Sequence, residues 1–233
     1  MWGAVVDAFL PRSCGGCGLR NSRGWCPRCE AALVWETTAP QRARLGVSAR
    51  GGLPEVWVAA PYGGQLRHAL VSYKERGRRD LAARLGAALS DVITPLVLAL
   101  RGDTGLQTPR LAIVPVPASA AALRSRGWDH VAALVRAARP DTPVLPRLLR
   151  WERRVADQGS LDARGRAVNV HLAMSARRPD GPGSGVLLVD DVVTTGATLA
   201  EAARACRAAG HTVVAAAALA ATRTDGSGAG ARP

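Results

Sequence analysis

The chain has 233 residues, 48% of them apolar. That is enough to bury a sizeable core in one large domain, or one domain plus a small appendage, and it excludes a chain disordered throughout. Lys and Arg number 31 against 18 Asp and Glu, and the net charge of +13 favours phosphate-bearing partners such as nucleic acid, nucleotides or polyphosphorylated metabolites, without choosing among them. Lys74 is the only lysine, and with six Trp, two Tyr and one Phe the core must be built mainly from Ala, Val and Leu. Arg, Asp or Pro interrupts every apolar run before it reaches bilayer-spanning length, and Met1 to Pro11 carries Asp7 without a basic lead. The expectation is a soluble, cytoplasmic protein with no membrane insertion.

The first feature in chain order is Cys14, Cys17, Cys26 and Cys29. Their C-x2-C-x8-C-x2-C spacing brings two thiolate pairs to one metal and completes the sulfur shell that Zn2+ prefers. With all four positions filled by protein, the zinc would be structural. Arg12, Arg20, Arg23 and Arg28 leave open a contact between this knuckle and nucleic-acid phosphates. Residues 1–36 are expected to form the knuckle with a flanking helix. Residues 37–54, with Pro, Gly and Arg and no periodicity, read as a linker.

A folded domain is expected over 55–222. VWVAAPY (56–62) reads as a strand. Leu66, Ala69, Leu70 and Tyr73 follow helical spacing, as do Leu81, Leu85, Leu89 and Val92 after a break at Gly77. LAIVP (111–115) reads as a strand, Asp129 to Arg139 as a helix capped by Asp129, and PVLPRLLR (143–150) as another strand. Residues 151–168 are charged and lack apolar periodicity, as a loop would. VLLVD (186–190) is a continuous apolar strand of the fully buried, parallel type. A helix from about Leu199 to Ala209 follows, ended by Gly210, and then the strand TVVAAAALA (212–220). Cys206 falls within the helical, Ala-rich run and reads as a core residue. The tail 223–233 is expected to be disordered. Alternating strands and helices predict a parallel α/β sheet covered by helices.

The segment VLLVDDVVTTGATL (186–199) carries the strongest chemical signal. A buried strand delivers Asp190 and Asp191 at its carboxyl end, where open α/β sheets bind their ligands. Backbone N–H groups of Thr194, Thr195, Gly196, Ala197 and Thr198 can close around a phosphate. Gly196 permits the tight approach, and the start of the next helix adds a favourable dipole. The carboxylates repel that phosphate. They suit sugar hydroxyls, or a nearby Mg2+ reached through water.

Strand, acid pair and threonine-glycine loop in this order resemble the type I phosphoribosyltransferases, whose loop holds the 5′-phosphate of phosphoribosyl pyrophosphate (PRPP). A wider resemblance covers nearly the whole chain. ComF-type competence-associated proteins have an amino-terminal four-cysteine knuckle followed by such a domain. The matching segments are Tyr62 through YKERG (73–77), Val114 to Pro117, RGWDH (126–130), and Gln158, Leu161, Arg166 and Asn169. Asp129 and His130 stand where that family usually has Asn and Gln.

The resemblance implies a type I phosphoribosyltransferase-like fold and phosphoribosyl transfer from PRPP with Mg2+. Asp190 and Asp191 would be the catalytic acids on the ribose hydroxyls, and Thr194 to Thr198 would hold the 5′-phosphate. Val116, Pro117, Ala118 and Ser119 would receive pyrophosphate, assisted by Arg124 and Arg126, since guanidinium groups suit a diphosphate. Residues 151–168, with Arg153, Arg154, Arg164 and Arg166, would form a hood that excludes water. Lys74 gains interest from its motif. Two functions stay open at this point. One is an enzyme acting on PRPP, with a role in DNA uptake. The other is a non-catalytic competence factor that senses nucleotides or binds single-stranded DNA, with Trp2, Trp25, Trp35, Trp57, Trp128 and Trp151 available for stacking, in company with other DNA-processing proteins.

Overall fold

The structure, a computed structural model, describes residues 13–20, 24–37, 39–43, 45, 52–102, 110–153, 168–179 and 185–222. Arg12, Arg23, most of the 151–168 loop (Arg154, Gln158, Leu161, Arg164 and Arg166 included) and the tail 223–233 lie outside them.

A mixed α/β architecture emerges, with a mostly parallel central sheet. Helix α1 (Pro27–Thr37) is followed by β1 (Gln41–Arg42), β2 (Val56–Pro61), α2 (Gly64–Glu75), α3 (Ala82–Gly102) and β3 (Leu111–Pro115). Next come α4 (Ala120–Arg126), α5 (His130–Ala138), β4 (Leu149–Trp151), β5 (Met174–Ala176), β6 (Gly185–Val193), α6 (Ala197–Ala208) and β7 (Thr212–Ala221). The sheet order is β1-β2-β7-β6-β3, with β1 antiparallel at the edge and the other four strands parallel.

Period-two alternation sorts the sheet residues onto two faces. Ile113, Leu187, Val189, Ala215, Ala217 and Leu219 join one core cluster with α2, α3 and α5. Val114, Val186, Leu188, Ala216 and Ala218 join the other, with Leu199, Ala202 and Cys206 of α6. The helical stripes fall as expected: Leu66, Ala69, Leu70 and Tyr73 are buried on α2, and Leu85, Leu89 and Val92 on α3. Gly77, at φ +64, lets the chain turn between them. Helices α3 and α5 cross closely. A Cβ added at Gly86 would fall 2.7 Å from the Ala137 carbonyl carbon.

Three expectations need adjusting. First, residues 143–150 do not form one strand. Val144 makes a single bridge to Ile113, and only Leu149–Trp151 pairs, antiparallel, with Met174–Ala176. Pro143 and Pro146 have no N–H to give a ladder. Second, residues expected as linker contribute the edge strand β1, and Leu45 and Leu53 pack against the second core cluster. Third, residues 79–102 are long and apolar enough to cross a membrane by length and composition, contrary to the sequence reading. Yet Leu85, Leu89, Val92 and Ile93 of this helix are buried in the first core cluster.

The β4–β5 hairpin is fastened to α6 by Glu201. This buried carboxylate accepts from the Met174 N–H at 2.9 Å and pairs with Arg204 at 2.8 Å, while Arg204 donates to the Met174 carbonyl. The cysteine segment is likewise part of the main body. Cys14, Trp25, Cys29 and Leu33 belong to the first core cluster, and Arg78 donates to the Ser13 carbonyl at 2.9 Å.

Candidate functional site

The carboxyl ends of β2, β3 and β6 open onto a cavity of about 670 Å³. Tyr62 lines it after β2, Val116, Pro117, Ala118 and Ser119 after β3, and Asp190, Asp191 and Thr194 at the end of β6. Gly196, Ala197 and Thr198 line it from the start of α6, and Lys74, Arg126, His130 and Trp151 complete the polar wall. Segments distant in the sequence therefore meet in one place because their strands run parallel in one sheet.

The two acids do not share an environment. Asp191 is buried, with its Oδ2 2.9 Å from Lys74 Nζ and 3.2 Å from His130 Nε2. Burial pushes the Asp191 carboxyl up, but the Lys74 charge, followed by the His130 contact, outweighs it and holds the group below the ordinary carboxylate range. Asp190 is half-buried and has neither ion-pair partner within contact distance; its Oδ1 accepts from the Asp191 N–H at 2.8 Å. Burial, and then the neighbouring Asp191 charge, push its carboxyl up to about 8. For Lys74, burial opposes the ammonium form, but the Asp191 and Asp190 charges prevail and raise its pKa.

RGWDH folds as a support for this pair. The Tyr73 hydroxyl donates to the His130 carbonyl at 3.0 Å, and the Trp128 ring stands edge-on to Tyr73 at 4.7 Å. Arg79 lies 4.9 Å from the Trp128 ring centre. Asp129 caps α5 through the Ala132 N–H (3.0 Å) and also accepts from the Ala118 N–H (3.1 Å). That second bond changes the account of the 116–119 turn. Val116 donates its N–H to the Val189 carbonyl, Pro117 has none, and Ala118 gives its own to Asp129. The Ser119 hydroxyl oxygen caps α4 by accepting from Ala122. Few backbone donors of this turn are left for an anion.

Arg126 lines the cavity and pairs with Glu75 at 3.1 Å. Arg124 is exposed and does not line it, because two residues on a helix point to nearly opposite sides. Trp151, singled out in the sequence only as one of six tryptophans, lines the cavity and donates from Nε1 to the Pro117 carbonyl at 2.8 Å.

The threonine loop turns on Gly196, which has φ +78 at the α6 N-cap, a conformation that L side chains adopt at a cost. Gly196, Ala197 and Thr198 at the start of α6 line the cavity, so the positive end of the helix faces it, as suits an anion. Thr195 does not line the cavity; its hydroxyl accepts from the Ala197 N–H at 3.3 Å.

Away from the cavity, the Sγ atoms of Cys14, Cys17, Cys26 and Cys29 all lie within 4.8 Å of one another, as four ligands of one tetrahedral metal such as zinc would. Burial raises the Cys14 thiol, but N–H groups of Cys17, Cys26 and Gly16 outweigh it and lower its pKa, whereas burial and the neighbouring cysteines push the Cys29 thiol up. Cys206 is fully buried and its thiol is pushed up to about 12 by burial, in keeping with a core residue.

Residues 122–228 match the family model described as phosphoribosyl transferase domain. No curated protein matches the chain. The matched span runs from α4 through the acid pair and α6 to β7. Residues 122–228 are thus similar to a phosphoribosyl transferase domain, and a four-cysteine cluster able to hold a metal precedes them.

Proposed function

We propose that the cavity binds PRPP, or a closely related ribose phosphate, and that the protein transfers the phosphoribosyl group to a nitrogen acceptor. What supports this is the meeting, in one cavity within or beside the family match, of the 116–119 turn, Arg126, both acids and Thr194, Gly196, Ala197 and Thr198 of the threonine loop. In this reading the 5′-phosphate sits at the start of α6, where Gly196 allows close approach. A carboxylate accepts from ribose hydroxyls. The anomeric carbon then faces the cavity interior, and pyrophosphate leaves toward the 116–119 turn as the carbon–oxygen bond breaks and the acceptor nitrogen bonds. Protein groups mainly position the reactants and stabilise charge on the departing diphosphate. Among the described residues the four cysteines are the only cluster of three or more metal-ligating side chains. Mg2+ would therefore enter with the diphosphate, whose charge it neutralises, and zinc would serve at the cysteines. The proposed knuckle (1–36), connector (37–54) and phosphoribosyltransferase-like domain (55–222) are then regions of sequence rather than separate bodies, since Cys29 and Leu33 share the main core and Gln41–Arg42 add its edge strand.

PRPP with Mg2+ should raise the melting temperature, since a ligand at 100 times its Kd stabilises by about 2.7 kcal/mol. Asp190→Asn should remove that rise. A melting temperature indifferent to PRPP, or a rise unchanged in the variant, contradicts the reading. The ComF-type resemblance extends the proposal to a cytoplasmic role in DNA uptake. Deleting the gene from its host should lower recovery of transformants; undiminished transformation contradicts that role.

A further inference from the structure

The ribose-phosphate reading treats the two adjacent acids alike, but their surroundings do not. Among the described residues, Asp190 alone presents a carboxylate to the cavity without an ion-pair partner in contact. Asp191 is 3% exposed, and its Oδ2 is shared between Lys74 and His130. Lys74, by contrast, keeps 31% of its side chain accessible and lines the cavity.

The anion-binding side of the cavity needs donors from somewhere. The N–H groups of Val116 and Ala118 are already bonded within the protein, and Pro117 has none. Arg126 is paired with Glu75. An ammonium group has three donors, and Asp191 engages Lys74 at a single oxygen, which leaves donors for a ligand. Lysine is also singular in this chain, where every other basic side chain of that type is arginine. A compact point charge on a flexible stem fits beside a buried carboxylate, whereas a planar guanidinium demands a wider, forked partner. His130 closes the other side of Asp191 at 3.2 Å, and both of its ring nitrogens are buried without a hydrogen-bond partner. Tyr73 fixes the backbone of His130, and Asp129 fixes the start of its helix.

We infer that the acid pair divides its work: Asp190 meets the sugar, while Asp191, backed by His130, is a positioning residue that holds the Lys74 ammonium at the cavity wall to bind an anionic diphosphate oxygen. This rests on the ribose-phosphate reading for the identity of the ligand. The linkage of Asp191 to Lys74 and the affinity of Lys74 for an anion do not depend on it.

The sole lysine makes the test specific. Protein labelled with 15N-lysine gives one lysine side-chain signal. Pyrophosphate with Mg2+ should shift that signal in the wild type, and Asp191→Asn should displace it before any ligand is added. A signal indifferent to pyrophosphate, or one that Asp191→Asn leaves in place, overturns the inference whether or not PRPP binds. Calorimetric titration supplies the second arm. Lys74→Met and Asp191→Asn should each weaken PRPP binding about tenfold or more, as expected for a lost charge-assisted hydrogen bond. Their double variant should be no weaker than either single variant, and ribose 5-phosphate binding should suffer far less. Asp190→Asn should weaken both ligands. Additive losses, or an Asp191→Asn loss on ribose 5-phosphate equal to that of Asp190→Asn, overturn the division of labour. Wild-type protein that binds neither ligand sinks the ribose-phosphate reading instead, leaving the lysine signal to decide the inference.

Discussion

The cysteine cluster and the acid-lined cavity both gather groups that prefer to be charged, but they do so with opposite outcomes. Four sulfurs converge until they can satisfy one another through a metal, and Cys14 and Cys29 lie within the main core. In the cavity Asp191 Oδ2 lies against the Lys74 ammonium and His130, whereas Asp190, the α6 start and the remaining Lys74 donors line open space. A set of polar groups that closes on itself contributes stability. One that stays incomplete until something enters contributes binding. Substitutions in the first region should therefore change melting far more than ligand affinity, and those in the second should do the reverse.

The largest effect is expected at the cysteines. Structural zinc contributes about 10–16 kcal/mol of apparent binding free energy in small zinc domains. Metal analysis of fresh protein should find about one zinc per chain. Chelation or Cys14→Ser should release it and sharply lower the melting temperature. Metal-free protein that melts like the untreated protein would erase the contrast from this side. A middle-sized effect is expected at Glu201→Ala, which strands the buried Met174 N–H and removes the partner of Arg204. Denaturant titration should show a loss of about 1–3 kcal/mol. Gly86→Ala should cost about 1–3 kcal/mol by crowding the Ala137 backbone, with ligand affinity near that of the wild type. A Gly86→Ala protein that folds as stably as the wild type would remove the close crossing of α3 and α5.

The pH dependence of stability tests the cavity side. A carboxyl raised to about 8 in the folded protein binds protons that the unfolded chain has released. Its contribution to stability is complete below the ordinary carboxylate pKa and is lost as pH rises through about 8. Asp191, held low by Lys74 and His130, has the opposite sign: its contribution is present above the ordinary range and fades as pH falls. Asp190→Asn should accordingly flatten the decline in stability between about pH 4 and 8 and leave the protein at least as stable at pH 8. If the variant melts markedly lower there, Asp190 belongs with the closed groups rather than the open ones.

Much of this was legible in the sequence because its signals are local. The apolar run ending in Asp190 and Asp191, the stripe Leu66–Ala69–Leu70–Tyr73, the Asp129 cap and the paired cysteine spacing each report on a few neighbouring residues. What escaped depends on which element lies opposite. Helical spacing marks Tyr73 as buried but cannot say that Lys74 beside it meets β6. Alternation along β6 foretells two faces, not the cation on one of them. Asp129 reads as a cap, and only the fold reveals that its second oxygen takes the Ala118 N–H from the 116–119 turn. Arg124 and Arg126 look equivalent in sequence, but helix geometry sends them to different sides. Trp151 lacked a local signal altogether, because its partner is a carbonyl on the turn after β3.

The central claim is that the cavity above β6 holds a ribose phosphate by its two ends, and a crystal structure of the protein soaked with PRPP and Mg2+ tests it most directly. The account predicts the 5′-phosphate at Thr194–Thr198, a ribose hydroxyl on Asp190, and the diphosphate between Lys74 and the 116–119 turn. PRPP bound elsewhere, or a cavity that stays empty at saturating ligand, would contradict it.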